Sequence, residues 1–145
     1  MLWKLLIAFA LMATCVVVHA TGLTAALRSP RLRPDTQRHF RQWIWLFIRL
    51  AALIILCHMI EIAVWAAVYW WTQSMPGLQA ALYFSAVTYT TTGYGDLVLP
   101  PEWRLVGGVE ALTGIQMCGL STGLFFTVLL KTFELSDWSK PRSGS

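Results

Sequence analysis

Charged residues are scarce in this sequence. Asp, Glu, Lys and Arg make up 12% of its 145 residues, against about 25% in ordinary soluble domains. Hydrophobic residues make up 57%, and the mean hydropathy is +0.58. A soluble globule of this length needs more polar surface, and a disordered chain needs far less apolar content. These values therefore exclude both classes and indicate a membrane protein.

Cysteine is also scarce, and the positions of Cys15, Cys57 and Cys118 exclude a disulfide framework. Their number is odd and all three lie inside apolar stretches, and their spacing matches no zinc site. The sequence contains no HExxH motif and no nucleophile–base constellation, so we expect neither an enzyme nor an organic cofactor. The net charge of +4 comes mainly from the arginines of residues 28–41. Such a local excess indicates the orientation of a membrane protein and does not favour a nucleic-acid partner. The sequence shows no inverted repeat, a pattern that is typical of many transporters, so a transporter is not favoured.

Three apolar stretches are long enough to cross a bilayer as helices. At ~1.5 Å rise per residue, residues 5–27, 50–71 and 106–130 span ~34, ~33 and ~37 Å, each more than the ~30 Å hydrocarbon core. A fourth stretch, residues 78–90, would span only ~20 Å. It follows a Pro-Gly turn and ends in threonines, so we expect a re-entrant helix there.

The basic residues predict the topology. Residues 28–41 hold five arginines and one aspartate, whereas Arg104 is the only basic residue in 72–104. The positive-inside rule then places residues 28–41 in the cytoplasm, the N-terminus outside, and the C-terminus with Lys131 and Lys140 inside. The small size and the absence of targeting signals favour a bacterial inner membrane, so we expect membrane lipids to surround the protein.

The first apolar stretch has an alternative interpretation as a cleaved signal peptide. Residues 18–20 resemble a small-residue cleavage site. Cleavage would reverse the orientation of the remaining spans against the charge rule, and the apolar run continues to residue 27. We therefore favour a retained helix.

A Thr-Thr-Gly-Tyr-Gly segment, residues 91–95, directly follows the short helix. Irregular backbone at membrane depth must line a cavity or be buried in protein. Glycines adopt backbone angles closed to other residues, so consecutive carbonyls of this segment can turn to one side. Such carbonyls can replace the water shell of a dehydrated cation.

Residues 91–96, TTGYGD, resemble the TVGYGD selectivity filter of potassium channels, with Thr92 where Val or Ile is usual. Residues 82–85 and 103–122 are similar to the pore helix and inner helix of small bacterial potassium channels. The resemblance implies an all-α integral membrane protein with three transmembrane helices, a re-entrant pore helix and a selectivity-filter loop, assembled as a homotetramer. It divides the chain into an extra helix (1–28), a basic linker (29–42), an outer helix (43–73), the pore helix, filter and outer loop (74–104), an inner helix (105–133) and a tail (134–145).

The resemblance also implies roles for individual residues. K+ would bind the carbonyls of Thr91, Thr92, Gly93 and Tyr94, together with the Thr91 hydroxyl, and Gly95 would complete the outer turn. Asp96 would lie at the outer mouth. Tyr94 would brace the filter by packing on Tyr83 or Phe84. Gly114 would be an inner-helix hinge, and the cavity and gate would be lined by Ile115, Cys118, Gly119, Thr122 and Phe126.

Two acidic residues, Glu61 and Glu110, lie inside the predicted membrane helices. Some of these channels pair a pore-helix Glu with the filter Asp, but Val87 occupies that position here. Glu61 and Glu110 cost several kcal/mol if ionised in lipid, so each needs a protein partner. We predict that one of them replaces the missing carboxylate and supports the filter, with Thr88, Tyr89, Thr92 and Trp65 as candidate donors; a purely structural role is the alternative. Asp96 itself needs Trp, Tyr or water donors.

Histidines and gating remain open at this point. His58 and Glu61 share a helix face and could sense pH, although a buried neutral histidine is the simpler interpretation. His19 and His39 are expected to be polar anchors near the inner interface. Neither a voltage sensor nor a soluble ligand-binding domain is expected. The favoured function is passive, potassium-selective conduction; the alternatives are a weakly selective cation channel and a non-conducting regulatory subunit.

Overall fold

The computed structural model describes the backbone of residues 2–29 and 40–138 and the side chains of residues 2–29 and 41–131. Within these ranges the chain is mostly helical and contains no strand. The helices are α1 (Leu2–Arg28), α2 (Phe40–Trp71), α3 (Leu78–Tyr89) and α4 (Arg104–Trp138), with a 3-10 turn at Pro101–Trp103. Three of them, α1, α2 and α4, are long and apolar enough to cross a membrane. The predicted all-α membrane fold is confirmed, while His39, most of the basic linker and the end of the tail lie outside the described residues.

Helix α2 begins ten residues before the apolar stretch that predicted it. Hydropathy drops at Arg41 and Arg49, but arginine is a good helix former and does not end a helix. Helix α3 has the predicted start, because Gly77 adopts a φ of 137° immediately before it. It ends at Tyr89, and the N–H of Thr90 still donates to the Ala86 carbonyl.

Helix α1 packs against α2 and α4 of its own chain. Its inward face carries Ala8, Cys15 and Gly22 at seven-residue intervals, and small residues allow close helix contact. At Gly22 the approach is so close that an added Cβ would lie 2.5 Å from Cys57 Sγ. At the start of the helix, Lys4 Nζ lies 4.6 Å from the centroid of the Trp103 ring. Since Trp103 immediately precedes α4, the starts of α1 and α4 lie side by side and the two helices run parallel.

The short helix α3 lies between α2 and α4. Its Phe84 ring packs edge-on against Tyr69 of α2, with 5.4 Å between centroids. On the α4 side, a Cβ added at Gly107 would lie 3.7 Å from the Phe84 ring. At Gly114 an added Cβ would lie 2.8 Å from the carbonyl carbon of Tyr89 and still closer to its oxygen. Glycine at 114 therefore lets α4 contact the carboxyl end of α3.

Candidate functional site

The segment that follows α3 has an unusual backbone. Thr91, Gly93 and Gly95 have positive φ angles of 58°, 52° and 77°, whereas Thr92 and Tyr94 do not. Positive φ at every second residue lets successive peptide groups turn toward one side of an extended ribbon, instead of alternating as in a strand. Thr91 is β-branched, for which this conformation is strained by ~1–3 kcal/mol. Such strain persists where the surroundings impose it, which is typical of functional segments.

Hydrogen bonds to the end of α3 hold the start of this segment. The N–H of Thr91 donates to the Thr88 carbonyl at 2.9 Å, and the N–H of Gly93 donates to the Val87 carbonyl at 3.0 Å. The hydroxyls of Thr90 and Thr92 lie 2.9 Å apart and share a hydrogen bond. The Thr92 hydroxyl is therefore paired locally.

Residues 91–96 are all exposed on the single chain. Tyr83 donates a hydrogen bond of 2.7 Å to Asp96, which is the tyrosine donor expected for that carboxylate. This hydrogen bond raises the pKa of the Tyr83 hydroxyl, because ionisation would place two negative groups in contact. Tyr94 is 71% exposed, and within the described chain it makes no ring contact with Tyr83 or Phe84. Its bracing role stays a prediction that needs a neighbouring chain.

Glu110 is buried between α2, α3 and α4. It accepts hydrogen bonds from Ser85 of α3 at 2.5 Å and from Tyr69 of α2 at 2.8 Å. The Ser85 hydroxyl also lies 2.9 Å from the Ile62 carbonyl. One carboxylate thus links the short helix to both of its neighbours. Sequence reasoning missed both donors, since neither residue stands out within its apolar stretch.

Glu61 is buried at the carboxyl end of α3. Tyr89, the last residue of α3, donates a hydrogen bond to Glu61 Oε2, as the sequence predicted. His19 Nδ1 lies 2.9 Å from Glu61 Oε1. His19 is fully buried, so the expectation that it anchors α1 at the inner interface is wrong: its position on α1 faces α2.

The other candidate donors to the glutamates are also wrong. In the described part of the chain, the hydroxyls of Thr88 and Thr92 bond neither Glu61 nor Glu110. Trp65 is fully buried, but its indole nitrogen has no hydrogen-bond partner among the described residues. The carboxylates are instead hydrogen-bonded by tyrosine, serine and histidine side chains of other helices.

The predicted cavity residues lie together on one exposed stripe of α4. At 100° per residue the stripe faces away from the buried residues Glu110, Met117 and Ser121. Gly114 is buried against Tyr89, so its close packing accounts for a glycine there without any hinge. The exposed stripe consists of Ile115, Cys118, Gly119, Thr122 and Phe126.

Comparison with known proteins gives one match. A family model described as "Ion channel" matches residues 43–131, which is more than half of the chain. The match runs from α2 through α3 and the 91–96 segment into α4, and it leaves out α1. No curated protein and no solved structure matches.

Proposed function

Because the chain belongs to the ion channel family by this match, we propose that it conducts K+ passively and selectively through a homotetrameric pore. The observation that carries the proposal is the 91–95 segment. It combines the TTGYG sequence with positive φ at every second residue and full exposure on the single chain. Four such ribbons around an axis would offer rings of carbonyl oxygens to a dehydrated cation.

Exposure of the functional residues supports the tetramer. The 91–96 segment and the apolar stripe of α4 are both exposed on one chain. Ile115 is 58% and Phe126 57% exposed. One chain supplies one ribbon, so a closed pore requires rotational symmetry, and four copies give the ring of carbonyls a K+ ion needs. In this assembly Tyr94 packs against a neighbouring chain.

Electrostatics also favour a cation at this place. The carboxyl end of α3 points toward the ribbon, and the negative end of a helix dipole stabilises positive charge. Asp96 at the exposed end of the ribbon attracts cations to the outer mouth. Glu61 and Glu110 lie behind the ribbon, where they hold α3 in position. K+ here is the transported substrate.

The proposal includes a membrane location and an orientation. The chain is a multi-pass membrane protein with three membrane-capable helices. We infer that it lies in a bacterial inner membrane, with the start of α1 and the ribbon outside. The arginines of residues 28–41 support this orientation, because basic residues favour the cytoplasmic side.

A flux assay tests conduction and its selectivity. Purified full-length protein in liposomes should carry K+ down its gradient, and Ba2+ should block the flux. Gly93→Ala should abolish flux, because alanine is strained at a φ of 52°. Gly108→Ala is the matched control, since an added Cβ there meets no atom within 4 Å, and it should conduct. Absence of flux from tetrameric protein would contradict the proposal and leave a non-conducting subunit.

One observation favours weak cation selectivity as a second candidate. The Thr90 and Thr92 hydroxyls pair at 2.9 Å, and Thr92 stands where the selectivity filter that the segment resembles carries an apolar side chain. Reversal potentials under opposed K+ and Na+ gradients separate the two candidates. A reversal near zero in the native chain, restored toward the K+ potential by Thr92→Val, would establish weak selectivity.

A further inference from the structure

Five polar side chains from all four helices meet beside the carboxyl end of α3. They form a closed chain of hydrogen bonds, called here the polar cycle, made of Glu61, His19, Ser121, His58 and Tyr89. Glu61 Oε1 lies 2.9 Å from His19 Nδ1, and His19 Nε2 lies 2.9 Å from Ser121 Oγ. Ser121 Oγ lies 3.1 Å from His58 Nε2, and His58 Nδ1 lies 3.0 Å from the Tyr89 oxygen. The Tyr89 hydroxyl donates to Glu61 Oε2 and closes the cycle.

Counting hydrogens shows what the polar cycle requires. Its five contacts need five hydrogens. A carboxylate supplies none, and two neutral imidazoles, a serine and a tyrosine supply one each. The total is then about four, so one contact lacks a hydrogen. A single added proton completes all the contacts. The proton can reside on Glu61 or on either imidazole, because each placement gives every contact one hydrogen.

The net charge favours the same state. With the added proton the polar cycle is neutral overall, either as a protonated acid with neutral histidines or as a carboxylate with one imidazolium. Without it a negative charge remains in a site where Glu61 and His19 have no exposed surface, and uncompensated charge is costly there. The side chain of His58 is 15% exposed, which gives a proton a route into the cycle.

The surroundings supply no other charge to balance Glu61. The nearest titratable groups outside the cycle are the thiols of Cys15 on α1, Cys57 on α2 and Cys118 on α4. Thiols are neutral at pH 7. Glu110 accepts hydrogen bonds from Ser85 and Tyr69 outside the cycle, and its charge would add to the negative charge. Among the described residues no Lys or Arg forms an ion pair with Glu61, whose ion-pair partners are His19 and His58.

We propose that the polar cycle is a binding site for one proton, through which pH controls conduction. Tyr89 is the last residue of α3 and lies two residues before Thr91, where the strained ribbon starts. With the proton bound, the cycle ties this point to α1, α2 and α4 and holds the ribbon in its conducting form. Loss of the proton breaks one contact and releases the end of α3, so conduction falls at alkaline pH. The control of conduction rests on the proposed channel function, whereas the proton site itself does not.

A metal ion is the competing occupant. The donor atoms of His19, His58 and Glu61 all lie within 4.8 Å of one another, and two histidines with a glutamate are a zinc ligand set. A divalent ion would leave one net positive charge in this buried site. A proton completes the contacts without that charge, so the structure favours the proton.

Two substitutions act on the cycle in opposite ways. In Glu61→Gln the amide supplies the missing hydrogen, so the cycle is complete at every pH. In Tyr89→Phe two contacts are lost, and the remaining contacts need no added proton. Glu61→Gln should therefore conduct without an alkaline decline, and Tyr89→Phe should conduct weakly at every pH. Glu110→Gln, a buried glutamate outside the cycle, is the matched control and should retain the pH dependence.

The experiment uses the full-length tetramer in lipid bilayers. Nitrogen-15 NMR of the histidine rings should show a change of ring protonation or tautomer that fits uptake of one proton per chain as the pH is lowered from about 9 to about 5, and this change should be absent in Glu61→Gln. K+ currents should follow the same one-proton titration curve, in which the ratio of the protonated to the deprotonated polar cycle changes tenfold per pH unit. If the histidines titrate but no variant conducts, the channel function fails and the proton site stands.

Three outcomes would overturn the proposal, the first and third for the proton site and the second for its control of conduction. One is an NMR titration in Glu61→Gln that equals that of the native chain. Another is a native current that does not change from pH 5 to pH 9, or a Glu61→Gln current with the native pH dependence. The third is about one Zn2+ per chain in the purified protein, removed by His58→Gln, which would assign the site to a metal. If Glu61→Gln does not assemble, the constant weak current expected of Tyr89→Phe decides the matter.

Discussion

Replacing Gly114 with alanine separates two explanations of this glycine. As a hinge, Gly114 would serve opening and closing, and alanine would change gating with little effect on stability. In the structure, however, a Cβ at this position would lie 2.8 Å from the carbonyl carbon of Tyr89. The obstructing group is backbone at the end of α3, which cannot rotate away as a flexible side chain can. We therefore expect the substitution to push α4 and α3 apart.

The expected magnitude follows from two opposing terms. Glycine to alanine in a helix interior normally stabilises by ~0.5–1 kcal/mol through backbone entropy. Overpacking a close contact costs ~1–3 kcal/mol. Gly114→Ala should therefore destabilise each chain by up to ~2 kcal/mol, whereas Gly119→Ala, which meets no atom within 4 Å, should be neutral or stabilising. Both glycines lie on α4, so propensity affects them equally.

Equilibrium unfolding in mixed SDS micelles measures this difference, and liposome flux measures its effect on conduction. Gly114→Ala should unfold at lower SDS and conduct less, because displacement of Tyr89 disturbs the ribbon two residues later. A Gly114→Ala protein as stable as Gly119→Ala, with altered open probability alone, would refute the packing argument and restore the hinge.

Three further substitutions test other contacts. Ser85→Ala removes one of the two donors to buried Glu110 and should destabilise by ~1–3 kcal/mol in the same unfolding assay. Tyr83→Phe isolates the titration of Tyr83, because subtracting the ultraviolet titration of the variant from that of the native protein leaves the signal of this one tyrosine. The midpoint of this difference should lie above the ordinary tyrosine pKa of about 10. Gly22→Ala should overlap with Cys57 Sγ and destabilise the contact of α1, and the double variant with Cys57→Ala should recover most of the loss.

Each of these has an outcome that would contradict it. If Ser85→Ala is as stable as the native protein, the hydrogen bond from Ser85 to Glu110 does not contribute to the free energy of unfolding. A Tyr83 midpoint at or below the ordinary tyrosine value would mean that the hydrogen bond to Asp96 does not form in the assembled protein. Equal losses in Gly22→Ala and in the double variant would show that Cys57 is not the obstructing group.

The two buried glutamates hold the short helix α3 against the long helices. Here Glu110 contacts the middle of α3 through Ser85, and Glu61 contacts its end through Tyr89. In both contacts the donor hydroxyl belongs to α3 and the acceptor carboxylate to a long helix.

Local patterns in the sequence were enough to predict the helices and the ribbon. Spans follow from hydropathy over about 20 residues, and the start of α3 follows from Pro76 and Gly77. The ribbon motif is contiguous, so its alternating backbone is encoded by neighbouring residues. These features depend on the chain over short distances, and the structure has a helix at each predicted stretch, although α2 begins ten residues earlier than its apolar stretch.

Only the tertiary structure decided the partners of the buried polar groups. His19 and Ser121 are 102 positions apart, yet their side chains hydrogen-bond. Contacts of this kind depend on the rotation and vertical offset of one apolar helix against another. Those are set by close packing at small residues such as Gly22 and Gly114, because hydropathy is nearly the same on every side of a membrane helix. For that reason the sequence indicated which polar groups needed partners, and only the packing showed which partners they had.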